Sequence, residues 1–515
     1  MMNIRSDYNQ IITSVINLLD KSRAELIKEN RAKLMKICST VLLCARQMIA
    51  LRGHEENGES RNRGNLIELL HWAASTDSLV DKILNDSDSN ATYLSPTIQN
   101  EILKILADQI RRKISNEIKN RPFVLMADES KDISSKEQLS VVLRYVDAEN
   151  QIHEHFMGFT KLDQFDAKAL YEKLYELLMK HDISIQDCIG QCYDGASVMS
   201  GRHAGVQTLM RQNYMPRGVY IHCFAHRLNL VICDVCIVVS YVDEFMGILS
   251  KIHQYFTSSS VNNEHFRHAQ LSLQLSVSVN NSSLFFEAVS MDYASAKVLI
   301  QSIINQIQYS VIFTTTIGQK DWGNQKSFHS NENKFRDELF YSLIDSILIE
   351  LNNRFSDDNI LLFSSVSAVH PSNQQFLEIE FLKPLASHLL VDFKLLENEL
   401  NIVKHFIREK IASMKTIQDL LTELKPVNEA FPATISLLRG ALCLPVSSTT
   451  CERSFSRMKL IKTYCRNSMG DECLSDLTLL AVERDFDIDL EETADIFTCI
   501  HGYNYQYHGL LPQLF

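Results

Sequence analysis

The chain has 515 residues, 45% hydrophobic and 22% charged, with a formal net charge of −12 at pH 7. That length is too great for one compact core and predicts two or more domains of ordinary globular composition. The acidic balance excludes a chain that wraps nucleic acid by bulk charge, and leaves only local basic stretches such as "RRKISNEIKNR" (111–121) and "RSFSRMKLIKTYCR" (453–466), each of which reads equally well as a solvated helix face.

Residues 8–51 predict helix, because apolar residues recur at three- and four-residue steps through "IITSVINLL" and "LMKICSTVLLCARQMIAL". The polar, glycine-bearing stretch 52–65 predicts a loop, and two short helical patterns follow. Ser95 as cap and Pro96 at the first position open a further helix, and the stripe Ile98, Ile102, Ile105, Ile110, Ile114, Ile118 carries it to about Asn120. The period then changes. "PFVLMAD" (122–128), "QLSVVLRYVD" (138–147) and "QIHEHFMGFT" (151–160) predict strands, the last two joined by a hairpin turn. A helix over 166–182, with Asp166 as its cap, precedes a fourth strand over 187–194. Residues 196–213 predict a glycine-weakened helix and 218–223 a fifth strand.

From Ala225 to Arg439 the pattern is mainly helical, with loops at "SVSVNNSS" and "TTTIGQKDWGNQKSFHSNEN" and no clear assignment for "DDNILLFSSVSAVHPSN". The most apolar run, "LNLVICDVCIVVSYV" (228–242), is interrupted by Asp234 and is shorter than the roughly 20 residues of a membrane span, so it predicts a buried helix. The N-terminus lacks a basic-then-apolar signal pattern, and the 12 cysteines are scattered, which together predict reduced thiols in the cytosol or nucleus.

The order β-β-β-α-β-α-β gives an antiparallel meander followed by parallel crossovers. The expected fold class is α/β: an RNase H-like mixed sheet interrupted by a large all-α insertion, with N-terminal helices. The corresponding division is an N-terminal helical segment (1–62), a helical lead-in (63–121), the first part of the sheet core (122–236), the helical insertion (237–440), the completion of the core (441–490) and a tail (491–515).

In such a sheet the first strand is central and the fourth lies beside it, so Asp128 and Asp194 should meet at neighbouring strand ends, where open sheets form crevices. Two close carboxylates repel unless a cation lies between them. Mg²⁺ or Mn²⁺ takes carboxylate oxygens, and two such ions about 4 Å apart clamp the attacking and leaving oxygens of a phosphodiester. Glu452, in the first turns of a helix capped within "SSTT", is the candidate third acid; its plainer role is to complement the helix dipole, as an Asp before Gly is often only a turn. Cys223 and His226 form a Cys-x-x-His pair. Zinc with Cys233 and Cys236 is disfavoured, because one helix limits which of the four converge. Cys223 is instead expected beneath the sheet, and His226 either near the acids or a phosphate or as a satisfied buried histidine. Leu474, Leu477, Leu480 and Ala481 share one helical face, with Leu479 and Val482 beside it. Either the insertion or a second subunit must cover this stripe, and the second, a homodimer, is the expectation.

Six stretches, "LRGHEENGESRNRGNLIELL", "YLSPTIQNEI", "ADESKDISSKEQLSVVLRYVD", "GQCYDGASVMSGRHAGVQ", "YIHCFAHRLNLV" and "LPVSSTTCERSFSRMKLIKTYCRNSM", resemble hAT-superfamily transposases and their domesticated relatives. The resemblance is greatest to the zinc finger MYM-type protein 1-like branch with its DUF4371 domain. It implies that Asp128, Asp194 and Glu452 occupy the positions of the nuclease acids, with Arg453 in support. It also implies that a helical insertion separates the last two acids, that "LSDLTLLAVERD" belongs to the C-terminal dimerisation region, and that the protein is nuclear. Two features depart from the family. No zinc finger is read before residue 51, and "QLSLQLSVSVNNSSLFF" stands where an Arg-Trp signature is expected, the only tryptophans being Trp72 and Trp322. Two functions follow: a transposase that cuts and joins DNA with Mg²⁺ or Mn²⁺, or a domesticated, non-catalytic nuclear module that dimerises and engages chromatin or protein. In both, DNA contact is weak or nonspecific, and neither a membrane nor a small-molecule substrate is expected.

Overall fold

The computed structural model describes residues 21–506 apart from 54–55, 57–59, 61, 86–92, 262, 265–340 and 355–359. Helix α1 (Lys21–Arg46) buries Leu34, Ile37, Cys38, Val41 and Ala45, the side chains its three- and four-residue spacing places on one face. After α2 (Asn65–Ala74) and α3 (Ser78–Asn85) comes α4 (Pro96–Ile118), whose cap is the expected one: Ser95 Oγ accepts from the Ile98 backbone N–H at 3.4 Å. The loop before α2 folds tightly on itself. Gly64 has φ 99°, and a Cβ there would lie 2.3 Å from the Gly53 nitrogen, so both positions need glycine.

The sheet has the order β3-β2-β1-β4-β5. Strands β1 (Phe123–Lys131), β2 (Glu137–Val146) and β3 (Ile152–Lys161) form an antiparallel meander. After α5 (Ala167–Lys180), β4 (Cys188–Tyr193) pairs parallel to β1. The short turn α6 (Ser197–Ser200) and α7 (Val206–Asn213) then lead to β5 (Val219–His222), parallel to β4. This is the α/β arrangement expected, with one difference of length. β1 does not end at Asp128 but continues to Lys131, because Asp132 forms the turn into β2, its carboxylate accepting from Ser134 N–H (2.7 Å) and Lys136 N–H (3.1 Å). The helix expected over 196–213 is split into α6 and α7. Gly201 and Gly205 approach so closely that a Cβ on Gly205 would sit 2.4 Å from the Gly201 nitrogen.

Beyond β5 the described chain is helical: α8 (Phe224–Val238), α9 (Ser240–Thr257), α10 (Ser342–Arg354), α11 (Ile360–Ala368), α12 (Ile379–His388), α13 (Phe393–Phe406), α14 (Ile417–Leu424) and α15 (Pro432–Cys443). The unassigned stretch "DDNILLFSSVSAVHPSN" thus supplies α11. The loops read at 276–283 and 314–333, the stretch 270–286 and Trp322 lie outside the described residues. The chain then returns to the sheet through α16 (Thr449–Ile461), α17 (Asp471–Val482) and α18 (Leu490–Gln506). No helix among the described residues is long and apolar enough to cross a membrane.

The C-terminal helices correct two expectations. Residues 491–506 are not a tail: α18 buries Ala494 and Phe497, and its Glu491 and Asp495 pair with Arg31 of α1 at 2.6 and 2.5 Å. The stripe Leu474, Leu477, Leu480, Ala481 is not open to a second subunit. These residues are 0%, 1%, 0% and 0% exposed, covered by α1, α4, α16 and β3 of the same chain rather than by the insertion. On the opposite side of α17, Ser475, Asp476, Thr478 and Leu479 are buried too, so the helix is a core element surrounded on all sides. Its polar groups are satisfied there: Asp476 pairs with the buried Arg111 at 2.7 Å, and Ser475 Oγ accepts from Phe159 N–H at 2.8 Å. Leu477→Asp is therefore expected to destabilise the monomer by several kcal/mol, because it places a charge in a dry core. Thermal melting at fixed protein concentration checks this; an unchanged melting temperature with altered light scattering would restore the interface reading.

Candidate active site

Parallel pairing sets Met126 of β1 beside Cys192 of β4, and two further residues along each strand bring Asp128 level with Asp194. On the other side of β1, Asp128 is the antiparallel partner of Ser140. Ser140 Oγ lies 2.8 Å from Ser454 Oγ, a buried contact that lays the first turns of α16 over this point of the sheet. Glu452 is half a helical turn from Ser454. Strand register thereby sets residues 128 and 194 level at one end of the sheet, with the start of α16 packed beside them.

Each acid has a defined local setting. Asp128 Oδ1 accepts from Glu129 N–H at 2.9 Å. Asp194 follows β4 directly, its Oδ1 accepts from Ala196 N–H at 3.2 Å, and its carbonyl receives the Tyr220 hydroxyl at 3.0 Å. Glu452 and Arg453 are exposed at the start of α16. Burial, then repulsion from Asp194 and, more weakly, from Glu452 and Glu129, raises the Asp128 carboxyl to about 7, against a stabilising backbone N–H.

A fourth acid was not singled out in the sequence. Glu129, next to Asp128 in "ADES", is raised to about 7 by burial first, then by Asp194 and Glu137. Nothing in a strand pattern distinguishes it, since alternation places it on the face opposite Asp128. Both raised groups bind protons more tightly when folded than when unfolded. Their contribution to stability is full below the ordinary carboxylate range and is lost as pH rises through 7. The melting temperature of the metal-free protein should therefore rise on acidification from pH 8 to pH 5.5. Asp128→Asn should flatten that slope, and calorimetry across this range checks it.

The remaining candidates follow β5. Cys223 is buried, its thiol pushed up by burial, and its sulfur accepts from Ser448 N–H at 3.4 Å; beside it Phe224 N–H donates to the Val446 carbonyl at 2.9 Å. Cys223 thus tethers the segment that leads into α16. His226 lies partly buried one turn into α8, its ring 5.8 Å from that of His222. Cys233 is exposed further along the same helix and Cys236 is partly buried, and none of the 12 cysteines is bonded to another.

The carboxylates suit Mg²⁺ or Mn²⁺ in kind, being hard oxygen donors whose mutual repulsion a cation relieves. Among the described residues, however, no three His, Cys, Asp or Glu side chains are grouped closely enough as they stand to hold an ion.

Comparison with known proteins gives two family matches. Residues 2–205 match the ZMYM1/FAM200, RNase-like domain (DUF4371), and residues 403–486 match the hAT family C-terminal dimerisation region. Curated relatives include the human and mouse proteins named 52 kDa repressor of the inhibitor of the protein kinase, each 26% identical over 238 residues. The match covers 45% of this chain and 31% of each relative, so less than a third of those proteins is represented.

Proposed function

We propose that this chain, which belongs to the hAT-superfamily transposase-derived proteins, is a nuclear, RNase H-like protein that cuts or transfers DNA strands through Asp128, Asp194 and Glu452. The observation that carries this reading is the register that sets Asp128 level with Asp194 while α16, which bears Glu452, packs on Ser140 beside Asp128, although 258 residues (452 − 194) separate the last two acids. In this reading Asp128 and Asp194 hold Mg²⁺ or Mn²⁺ from the sheet side and Glu452 from the helix side. The bound ion supplies Lewis-acid activation of water, or of a DNA 3′-hydroxyl, and of the scissile phosphodiester. Without metal, Asp128 holds a proton near neutral pH, so cation binding would release it. In this reading Arg453, exposed next to Glu452, contacts a phosphate oxygen. DNA is engaged through phosphate contacts, weakly and with little sequence preference. The dimerisation-region match supports oligomerisation, for which a twofold homodimer is the simplest form, through a surface other than the buried stripe of α17.

A second reading, a domesticated module that dimerises without cutting DNA, is favoured by the separation of the carboxylates and by the relatives named as repressors. Thermal melting in Mg²⁺ or Mn²⁺ distinguishes the two. A metal at tenfold its dissociation constant stabilises the fold by about 1.4 kcal/mol, and Asp194→Asn should abolish the shift. No shift in the parent protein would favour the non-catalytic reading.

A further inference from the structure

Helix α16 carries the third acid but is joined to the sheet only through a long detour of chain, so something must fix where it lies. Its apolar face offers Cys451, Phe455, Met458 and Ile461, which are contacts of forgiving shape. Its polar contacts are different. At its C-terminal end the Lys462 ammonium lies 2.5 Å from the Asp132 carboxylate, with side chains 1% and 0% exposed. At its N-terminal end the Thr450 hydroxyl donates to Glu154 of β3, whose other oxygen pairs with Arg144 of β2 at 2.6 Å, side chains 1% and 5% exposed. Arg144 also donates to the Leu442 and Cys443 carbonyls, at 2.9 and 3.1 Å, at the end of α15. Between the two ends lies the buried Ser140–Ser454 contact.

We propose that the buried Asp132–Lys462 pair and the Thr450 hydrogen bond to Glu154, which Arg144 holds in the sheet, are a register lock: they act as positioning contacts that clamp α16 at both ends and so set Glu452 over the Asp128 end of β1. Buried ion pairs add little net stability over apolar side chains of similar volume, and their best-attested use is to specify one register among several. A slide of α16 by one turn would exchange apolar contacts at small cost, while leaving Asp132 and Lys462 buried without each other and breaking the Thr450–Glu154 hydrogen bond. This deepens the proposed function, since the lock matters for catalysis only if Glu452 is a metal-site acid.

The test replaces one pair by apolar side chains of similar volume, Asp132→Leu with Lys462→Met, in the full chain. Hydrogen exchange is read separately for amides of α16 and of β1. A register lock predicts that α16 amides 452–461 exchange at least tenfold faster while β1 amides keep their protection, and that Mn²⁺, titrated alone, binds at least tenfold more weakly. Restoring charge with Asp132→Glu in the Lys462 background should recover both. Unchanged exchange in α16 overturns the lock, whatever the metal does. A parent protein that does not bind Mn²⁺, together with faster exchange in the double variant, overturns the acid-site reading and leaves the lock standing. Should the double variant fail to fold, Thr450→Val tests the other end by the same exchange measurement, and unaltered protection there overturns the proposal.

Discussion

Asp128→Asn, Asp194→Asn and Glu452→Gln are each expected to lower Mn²⁺-dependent nicking of supercoiled DNA by about a thousandfold. At roughly 1.4 kcal/mol per tenfold, this is a loss of about 4 kcal/mol of transition-state stabilisation. The substitutions keep shape and remove charge, so an effect of that size reports the site and not the fold. The three should not be additive, because carboxylates that share an ion act as a unit. A double substitution of Asp128 and Asp194 is therefore expected to cost little more than either alone. Gel assays of nicking, with melting curves alongside, check this. Equal nicking by parent and Asp194→Asn proteins would remove the catalytic reading.

Lys462→Ala should produce the largest loss of stability of any single change near the site. It leaves the Asp132 carboxylate wholly buried with no cation. Burial pushes that carboxyl up, but the Lys462 ammonium, with the Lys136 and Ser134 backbone N–H groups, holds it below the ordinary range. Breaking one partner of a buried pair costs about 3–5 kcal/mol, which at about 2–4 °C per kcal/mol lowers the melting temperature by roughly 10 °C. The depressed carboxyl also fixes a pH window: its contribution is present above the ordinary Asp range and is lost as pH falls through the still lower folded value. Lys462→Ala should remove that acid-side slope together with the stability. A melting temperature within 2 °C of the parent would show that the pair contributes nothing.

The strands were legible because β-branched runs such as "QLSVVLRYVD" change the period of the pattern, and the crossover helices fix which strands run parallel. Asp128 and Asp194 could be picked out because each closes an apolar run. Glu452 could not be placed on spacing alone. Its neighbourhood depends on Ser140–Ser454, on the buried Asp132–Lys462 pair and on Thr450–Glu154, none of which leaves a periodic trace. The misreading of α17 has a physical cause. Leu474, Leu477, Leu480 and Ala481 make a stripe, but Leu479, Thr478 and Ser475 on the other sides are buried as well, and a helix apolar or small on nearly every side is a core helix. The mixed polar content of "CLSDLTLLAV" hid this, because Asp476 is neutralised by Arg111, 365 residues earlier (476 − 111).

The pairing of α1 with α18 and the return of α16 to β1 and β2 also govern how the molecule is made. While the ribosome is still translating the insertion, the meander β1–β3 has neither α16 nor α17 to cover it, and α1 lacks both of its C-terminal partners. The nascent chain therefore carries an uncovered apolar sheet face through the synthesis of some 200 residues, a delay of roughly 10–40 s at 5–20 residues per second. Such a chain is expected to gain from shielding of that face until residues 440–506 emerge. Its yield on heterologous expression should thus be limited by the rate and shielding of synthesis more than by the stability of the finished protein.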